Sequence, residues 1–134
     1  MGNIGPGKEP ITLADGSTEM ALPGVSETPI YSKSFSLRNV RLSCLSLLDA
    51  SDGNTNIKVE VEQSYKRPTT EGEADDTYAV PETAPVTITL TGKTQKHITL
   101  SPLPLEFGRL KLTRLVGNDD STELTAFLSK VEEI

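Results

Sequence analysis

Ile57-Lys58-Val59-Glu60-Val61-Glu62 is the stretch of sequence that decides the fold of this chain. Isoleucine and valine alternate with charged residues, so an extended backbone places the apolar side chains on one face and the charges on the other. This period of two is typical of an antiparallel strand with one buried face and one solvated face. The same alternation recurs along most of the chain after residue 29, and it therefore predicts a protein made of β-strands.

Six further runs show the alternation and are separated by turn residues: 30–37, 40–47, 86–91, 97–100, 107–116 and 124–128. Asp52-Gly53 favours a hairpin turn, which predicts that 40–47 pairs with the Ile57 strand. No segment keeps helical spacing beyond two turns. Seven or eight short strands without helices predict an all-β fold, an antiparallel β-sandwich of jelly-roll or immunoglobulin-like topology.

The first 29 residues differ from the rest, because they hold five of the ten glycines and four of the nine prolines and lack apolar periodicity. Chain ends of this composition normally fray unless something holds them. A body of about 105 residues offers little surface for that purpose. We therefore expect 1–29 to form an extended N-terminal arm that docks on a neighbouring subunit, and 30–134 to form the sandwich domain. A flexible tail is the alternative interpretation of the same composition.

Composition and charge argue against several classes of partner. The net charge of −6 disfavours direct binding to nucleic acid and to anionic membrane surfaces, both of which need clustered lysine and arginine. The sequence shows no signal peptide and no apolar run long enough to span a membrane, and a single cysteine, Cys44, cannot form an internal disulfide. We expect Cys44 to be a small buried apolar residue in a protein made in a reducing compartment.

No arrangement of residues predicts catalysis, so we expect a protein that is not an enzyme and has no cofactor. The run from Gly2 to Lys8 matches the start of a phosphate-binding loop, but Pro6 removes a needed amide and Glu9 replaces the metal-binding Ser or Thr. His97, the only histidine, has no nucleophile motif to serve, and a surface or hydrogen-bonded structural role is expected for it.

Two acidic stretches could bind a cation, but neither predicts a metal site. The residues from Asp49 to Glu60 resemble a calcium-binding loop, yet Gly53 stands fifth where the sixth position needs the glycine. The second stretch, 71–76, belongs to a long acidic loop at 64–85, and loops of that length are usually functional or disordered. We expect a hairpin turn for the first stretch and a solvated loop for the second.

The body from Tyr31 to Ser129 resembles small β-sandwich structural proteins of tailed bacteriophage particles. The resemblance is carried by 58–65, by the polar loop that follows, by 100–104 leading to 109–112, and by 124–128. It implies a virion structural protein, a capsid decoration or head-tail adaptor subunit. Such a protein is made in the host cytoplasm, forms homo-oligomers, and binds the major capsid protein or neighbouring structural subunits.

The predicted contacts with partners come from the arm and from basic strands. The residues assigned to them are Ile4, Ile11, Leu13, Met20, Leu22, Arg109 and Lys111. Arg38, Arg41 and Arg114 would add to a basic face if the two strands that carry them shared one side of the molecule, although scattered solubility charges explain them equally well. The alternative function is a carbohydrate- or calcium-binding module, for which Tyr31, Tyr65 and Tyr78 are the candidate exposed aromatic residues.

Overall fold

The predicted all-β sandwich is confirmed by the computed structural model, which describes residues 7–20, 29–38, 40–49, 56–82, 85–91, 94–100, 105–116 and 124–132. Nine strands lie within these ranges: β1 (Gly7–Ile11), β2 (Ile30–Tyr31), β3 (Phe35–Ser36), β4 (Val40–Asp49), β5 (Asn56–Ser64), β6 (Thr87–Thr91), β7 (Thr94–Leu100), β8 (Phe107–Val116) and β9 (Leu124–Glu132). The described ranges contain no helix, and so none that is long and apolar enough to cross a membrane.

The strands form two sheets in which every pairing is antiparallel. The first sheet has four strands in the order β1-β9-β4-β7. The second has five, in the order β2-β8-β5-β6, with β3 also paired to β8. The longest pairings, β4 with β9 and β5 with β8, join strands far apart in the chain and form the centre of each sheet.

The core lies between the sheets and is built from the apolar positions of the period-two pattern. In the second sheet, Ile57, Val59 and Val61 of β5 face inward with Leu110 and Leu112 of β8, and all are almost completely buried. The first sheet contributes the buried residues Leu45, Leu47, Leu124, Ala126 and Leu128. The alternation in 57–62 predicted the inward face of β5, because only one of the two faces of such a strand is apolar enough to be buried.

The sequence predicted a hairpin at Asp52-Gly53 that pairs β4 with β5, and this pairing is wrong. β4 pairs with β7 and β9 in the first sheet, whereas β5 pairs with β6 and β8 in the second. The connection from β4 to β5 therefore crosses from one sheet to the other. The turn itself lies mostly outside the described residues.

The described part of the N-terminal segment, 7–20, packs on the sandwich of its own chain. β1 pairs with β9 from Gly7↔Lys130 to Ile11↔Ala126. Ile11 and Met20 are buried in the core, and Leu13 packs against it. The expectation that the body has too little surface to hold this segment is therefore wrong for 7–20, because β9 offers a strand edge and the core accepts two of its apolar side chains.

Two of the predicted arm contacts, Ile4 and Leu22, lie outside the described residues. Contact of the arm with a neighbouring subunit stays a prediction. Since Ile11 and Met20 are buried within this chain, their side chains are not accessible to a partner while the segment stays packed.

Two lysine side chains form hydrogen bonds from the first sheet to the second, one on each side of the sandwich. On one side, Lys130 of β9 donates from Nζ to the carbonyl oxygen of Ser36 in β3 at 3.1 Å. On the other, Lys96 of β7 donates from Nζ to the carbonyl oxygen of Thr89 in β6 at 3.4 Å. Edge strand β1 also carries Pro10, which has no amide hydrogen to offer. Lys96 and Pro10 lie on the two edge strands of the first sheet, β7 and β1, where lysine and proline discourage pairing with a strand of another molecule.

Gly108 of β8 allows two core side chains to approach the second sheet closely. An added Cβ atom would lie 2.8 Å from Cε1 of Phe35 and 3.2 Å from Cδ1 of Leu37. Both of these side chains are buried, so neither has open space into which it can move.

We expect Gly108→Ala to lower the free energy of unfolding by about 1–3 kcal/mol, because the extra methyl group overpacks the core. Chemical denaturation measures this loss. Adding Phe35→Leu should relieve the clash, so that the double variant loses less than the sum of the two single changes. A Gly108→Ala variant as stable as the wild type, or strictly additive losses, would contradict the packing.

Candidate interaction surfaces

The guanidinium group of Arg109 is the most completely enclosed charge on the outer side of the second sheet. Its side chain is 1% exposed, and Nε donates to Oε1 of Glu62 at 2.9 Å. Nη1 donates to the carbonyl oxygen of Glu73 at 2.6 Å. The rings of Tyr31 and Tyr78 lie 4.0 Å and 4.5 Å from the guanidinium carbon. These five residues, termed the Arg109 cluster, fasten the loop 65–82 over the sheet.

The position of Arg109 explains why this cluster forms. Arg109 and Glu62 are directly paired across β8 and β5, so their side chains leave the sheet on the same face, away from the core. An isolated strand would leave both in water. The loop that follows β5 instead folds back, places Tyr78 and the carbonyl of Glu73 against Arg109, and excludes solvent.

A second set of contacts ties the same loop to the segment between β2 and β3. The carboxylate of Glu71 accepts hydrogen bonds from the backbone N and the Oγ of Ser34, at 2.8 Å and 2.6 Å. Nη1 of Arg67 donates to Oγ of Ser34 at 3.0 Å, and its guanidinium lies over the ring of Phe107 at 4.6 Å. The loop is therefore held at both of its ends.

Asp75 organises the tip of the loop. Its carboxylate accepts from the Oγ1 and backbone N of Thr77 and from the backbone N of Thr69. These bonds to the charged form, led by the one from the Thr77 hydroxyl, lower the pKa of Asp75 to about 2. The loop is exposed at Glu73 and Asp76, as expected, and it is also structured, because the carboxylates of Glu71 and Asp75 accept hydrogen bonds.

Tyr78 is held in its neutral form by its surroundings. Burial, followed by the nearby charge of Glu71, raises the pKa of Tyr78 to about 12. Its hydroxyl donates to the carbonyl oxygen of Lys66 at 2.7 Å, which requires the protonated phenol.

Two of the three tyrosines considered for sugar binding are already packed against Arg109. Tyr31 and Tyr78 stack on Arg109, which leaves Tyr65, at 64% exposure, as the exposed tyrosine. Within the described ranges, no group of three His, Cys, Asp or Glu side chains could hold a metal ion. The calcium-like loop after Asp49 lies largely outside those ranges.

His97 forms a hydrogen-bonded surface pair, as the sequence predicted. Its Nδ1 lies 2.8 Å from Oγ of Ser46 on the facing strand, and its Nε2 lies 3.3 Å from Nε2 of Gln95. A serine beside a histidine resembles part of a hydrolytic triad, but a triad also needs a carboxylate to orient the imidazole. In this protein the other ring nitrogen of His97, Nε2, lies next to the side-chain amide of Gln95 and not next to a carboxylate.

The outer side of the first sheet carries no formal charge at the strand positions whose side chains the structure describes. Ten positions alternate with buried residues and have described side chains: Pro10, Cys44, Ser46, Leu48, Gln95, His97, Thr99, Thr125, Phe127 and Ser129. None carries a charge at pH 7 when histidine is counted as neutral, in a chain with 24% charged residues. These ten residues are termed the uncharged face. Its Leu48 is 45% exposed and is one of two exposed large apolar residues in the described ranges.

The outer side of the second sheet has the opposite character. Its positions on β5 and β8 include five charged residues: Lys58, Glu60, Glu62, Arg109 and Lys111. Several are paired within the chain, as in the 3.6 Å contact between Lys58 Nζ and Glu60 Oε1. The two faces of the sandwich therefore present different chemistry.

The single basic face considered from the sequence does not form. Arg109 is buried beneath the loop, Lys111 is half-buried, and Arg114 points inward on the same side of β8 as Leu112. Arg41 lies on β4, in the other sheet. Arg114 is 2% exposed, and its guanidinium nitrogens have no hydrogen-bond partner among the described residues.

Cys44 is half-buried on the uncharged face and not inside the core. The residues that sequence reasoning missed are Leu48 and Phe127 on the same face. Their signal was present, because each extends an apolar run, Leu47-Leu48 and Ala126-Phe127-Leu128, into the outward phase of its strand. An apolar side chain at an outward position marks a surface that differs from a solvated one.

No protein-family model, curated protein or solved structure matches this chain.

We expect Arg109→Met to lower the free energy of unfolding by about 3–5 kcal/mol, because it leaves the Glu62 carboxylate buried without its partner. Hydrogen exchange in 73–79 should become faster. Lys111→Met, two positions along the same strand face, is the matched control and should cost much less. The double variant Arg109→Met with Glu62→Met removes both charges and should recover part of the loss. Equal effects of Arg109→Met and Lys111→Met would contradict the cluster.

We expect a tyrosinate absorption step near pH 12 that disappears in Tyr78→Phe. Because the folded pKa is raised above the ordinary value of 10.0, the stabilisation by neutral Tyr78 is complete below about pH 10 and is lost as the pH rises towards 12. Ultraviolet titration and denaturation at several pH values measure both effects. An unchanged titration curve in Tyr78→Phe would contradict this assignment.

Proposed function

We propose that this protein is a non-enzymatic structural subunit of a virus particle, a capsid decoration or head-tail adaptor protein. The resemblance of 31–129 to bacteriophage structural sandwiches supports the proposal, and the two-sheet fold is the one which that resemblance implies. The polar residues of the long loop support it further, since they are used to fasten the loop and not to form an open reaction site.

The observation that carries the proposal is the uncharged face. Surfaces that become the centre of a protein interface are depleted in charged residues, and charged residues are nearly a quarter of this chain. The opposite sheet shows the usual mixture of charges, so the depletion is specific to one side of the molecule. Leu48 and Phe127 give that side its apolar contacts.

The occupant we assign to the uncharged face is a second copy of this chain. Two molecules of net charge −6 repel each other wherever charged surfaces meet, and this face offers the approach with the least repulsion. The four strands, about 4.8 Å apart and about seven residues long, present a projected area of roughly 450 Å² per copy. About 900 Å² for the pair is at the low end for specific interfaces, so the contact is weak alone and reinforced when many copies assemble.

Sedimentation velocity across a range of protein concentrations tests this assignment. We expect the wild type to dimerise at high concentration, and Leu48→Glu to remain monomeric because it places two like charges in the contact. Thr89→Glu, an exposed threonine on the second sheet, is the matched control and should dimerise as the wild type does. A wild type that stays monomeric throughout, or a Leu48→Glu variant that dimerises normally, would contradict the proposed contact.

The place of the protein in a particle needs a separate measurement. Particles released from cells that produce the protein can be purified on a density gradient and analysed by mass spectrometry. We expect the chain to sediment with the particles at a fixed number of copies for each capsid. Recovery only in the particle-free fractions would overturn the virion assignment without affecting the fold.

A further inference from the structure

A cleft lies where the N-terminal strand of the first sheet approaches the β2–β3 segment of the second. It has a volume of about 380 Å³ and is lined by 9–12 and 33–36 together with Arg67 and Lys130. Three of the lining residues are cations, Lys33, Arg67 and Lys130, and one is an acid, Glu9. This basic cleft has a local charge opposite to the net charge of the chain.

The cations of the basic cleft differ in how far they are already engaged. Nζ of Lys130 is 3.1 Å from Oε1 of Glu9 and donates to the carbonyl of Ser36, and its side chain is only 10% exposed. Lys130 therefore connects Glu9 on one wall of the cleft to Ser36 on the other, and it neutralises the charge of the Glu9 carboxylate. Lys33 is exposed, and its ammonium group has no hydrogen-bond or ion-pair partner in the described part of the chain.

Arg67 is oriented in advance for binding. Its guanidinium lies over the ring of Phe107, and Nη1 donates to the carbonyl oxygen and Oγ of Ser34. Those contacts use one nitrogen and one face of the group. The other N–H donors have no partner among the described residues, and a guanidinium fixed in this way can bind a carboxylate with little loss of side-chain freedom.

The wall beside Arg67 already binds a carboxylate. The Glu71 side chain accepts two short hydrogen bonds from Ser34, the residue that Arg67 also contacts. These bonds use both the backbone N–H and the hydroxyl of Ser34, so a ligand carboxylate is left to Arg67 and Lys33.

We propose that the basic cleft binds an extended acidic segment of another protein chain, with Lys33 and Arg67 contacting its carboxylates. A segment fits better than a membrane, because a flat anionic surface does not enter a cleft between two sheets. Nucleic acid needs many clustered lysine and arginine side chains, whereas this cleft offers two that are not paired with an acid, Lys33 and Arg67. Pro10 at the edge of β1 means that side chains, rather than strand pairing, supply most of the recognition.

Titration calorimetry with a defined peptide tests the proposal. The probe is a capped peptide with the sequence of 117–123, which carries three acids and no base. The control peptide replaces its Asp and Glu residues with Asn and Gln. At low ionic strength we expect the acidic peptide to bind at least tenfold more tightly than the neutral one, and the difference to shrink as salt is added. Amide signals from 9–12 and 33–36 should shift in nuclear magnetic resonance spectra.

Charge-reversal variants locate the site. Lys33→Glu removes an exposed cation without a structural contact in the described residues, and we expect it to weaken binding at least tenfold. Lys66→Glu makes the same charge change next to Arg67 but outside the cleft, and it should alter affinity less than twofold. Arg67→Gln should weaken binding as well, with thermal unfolding measured in parallel because Arg67 also supports the loop.

Three results would overturn the proposal: no binding of the acidic peptide at millimolar concentration, equal binding by wild type and Lys33→Glu, or inorganic phosphate binding as tightly as the peptide. The proposal does not rest on the virion function or on the uncharged face. Self-association measured in the same samples keeps the two apart, since Lys33→Glu should dimerise normally and Leu48→Glu should bind the peptide normally.

Discussion

The burial of the Arg109 guanidinium is the constraint on which the arrangement of the second sheet and its long loop depends. A buried ion costs several kcal/mol unless charge and hydrogen bonds compensate it. Here the compensation comes from three parts of the chain: Glu62 on the neighbouring strand, Tyr31 on β2, and Glu73 with Tyr78 on the loop. Opening any one of them exposes or isolates the charge. The loop 65–82 is therefore part of the folded unit and not an appendage to it.

Alternation along a strand shows which side chains face the core but not which strand lies alongside. For that reason Ile57, Val59 and Val61 could be placed correctly from the sequence, as could Leu110 and Leu112. The pairing of β4 could not, because Asp52-Gly53 is compatible with a hairpin and equally with a crossing between sheets. The burial of Met20 against β9 could not be predicted from the sequence either. Its partner Leu124 is more than a hundred positions away, and the local sequence has no periodic pattern.

The candidate surfaces were harder to predict than the fold, because each is made by tertiary contacts. The period-two pattern assigns Arg109 to a solvated face, and only a loop that begins after β5 encloses it. The basic cleft needs Lys33 and Arg67, which are separated in sequence and joined through Ser34. The uncharged face is the one surface that left a signal in the sequence. Leu48 and Phe127 are apolar at outward positions, a departure from alternation that the strand itself does not require.

The two edge strands of the first sheet limit how another copy of this protein could add to it. With Lys96 on β7 and Pro10 on β1, both edges of the first sheet are poor templates for adding another strand. The proposed self-association uses a broad face and not these edges. A contact between two copies of the same flat face buries that face on both molecules. Growth through it therefore stops at two molecules instead of continuing into a fibre. In the proposed dimer, the number of molecules joined through the uncharged face is therefore set by geometry and not by protein concentration.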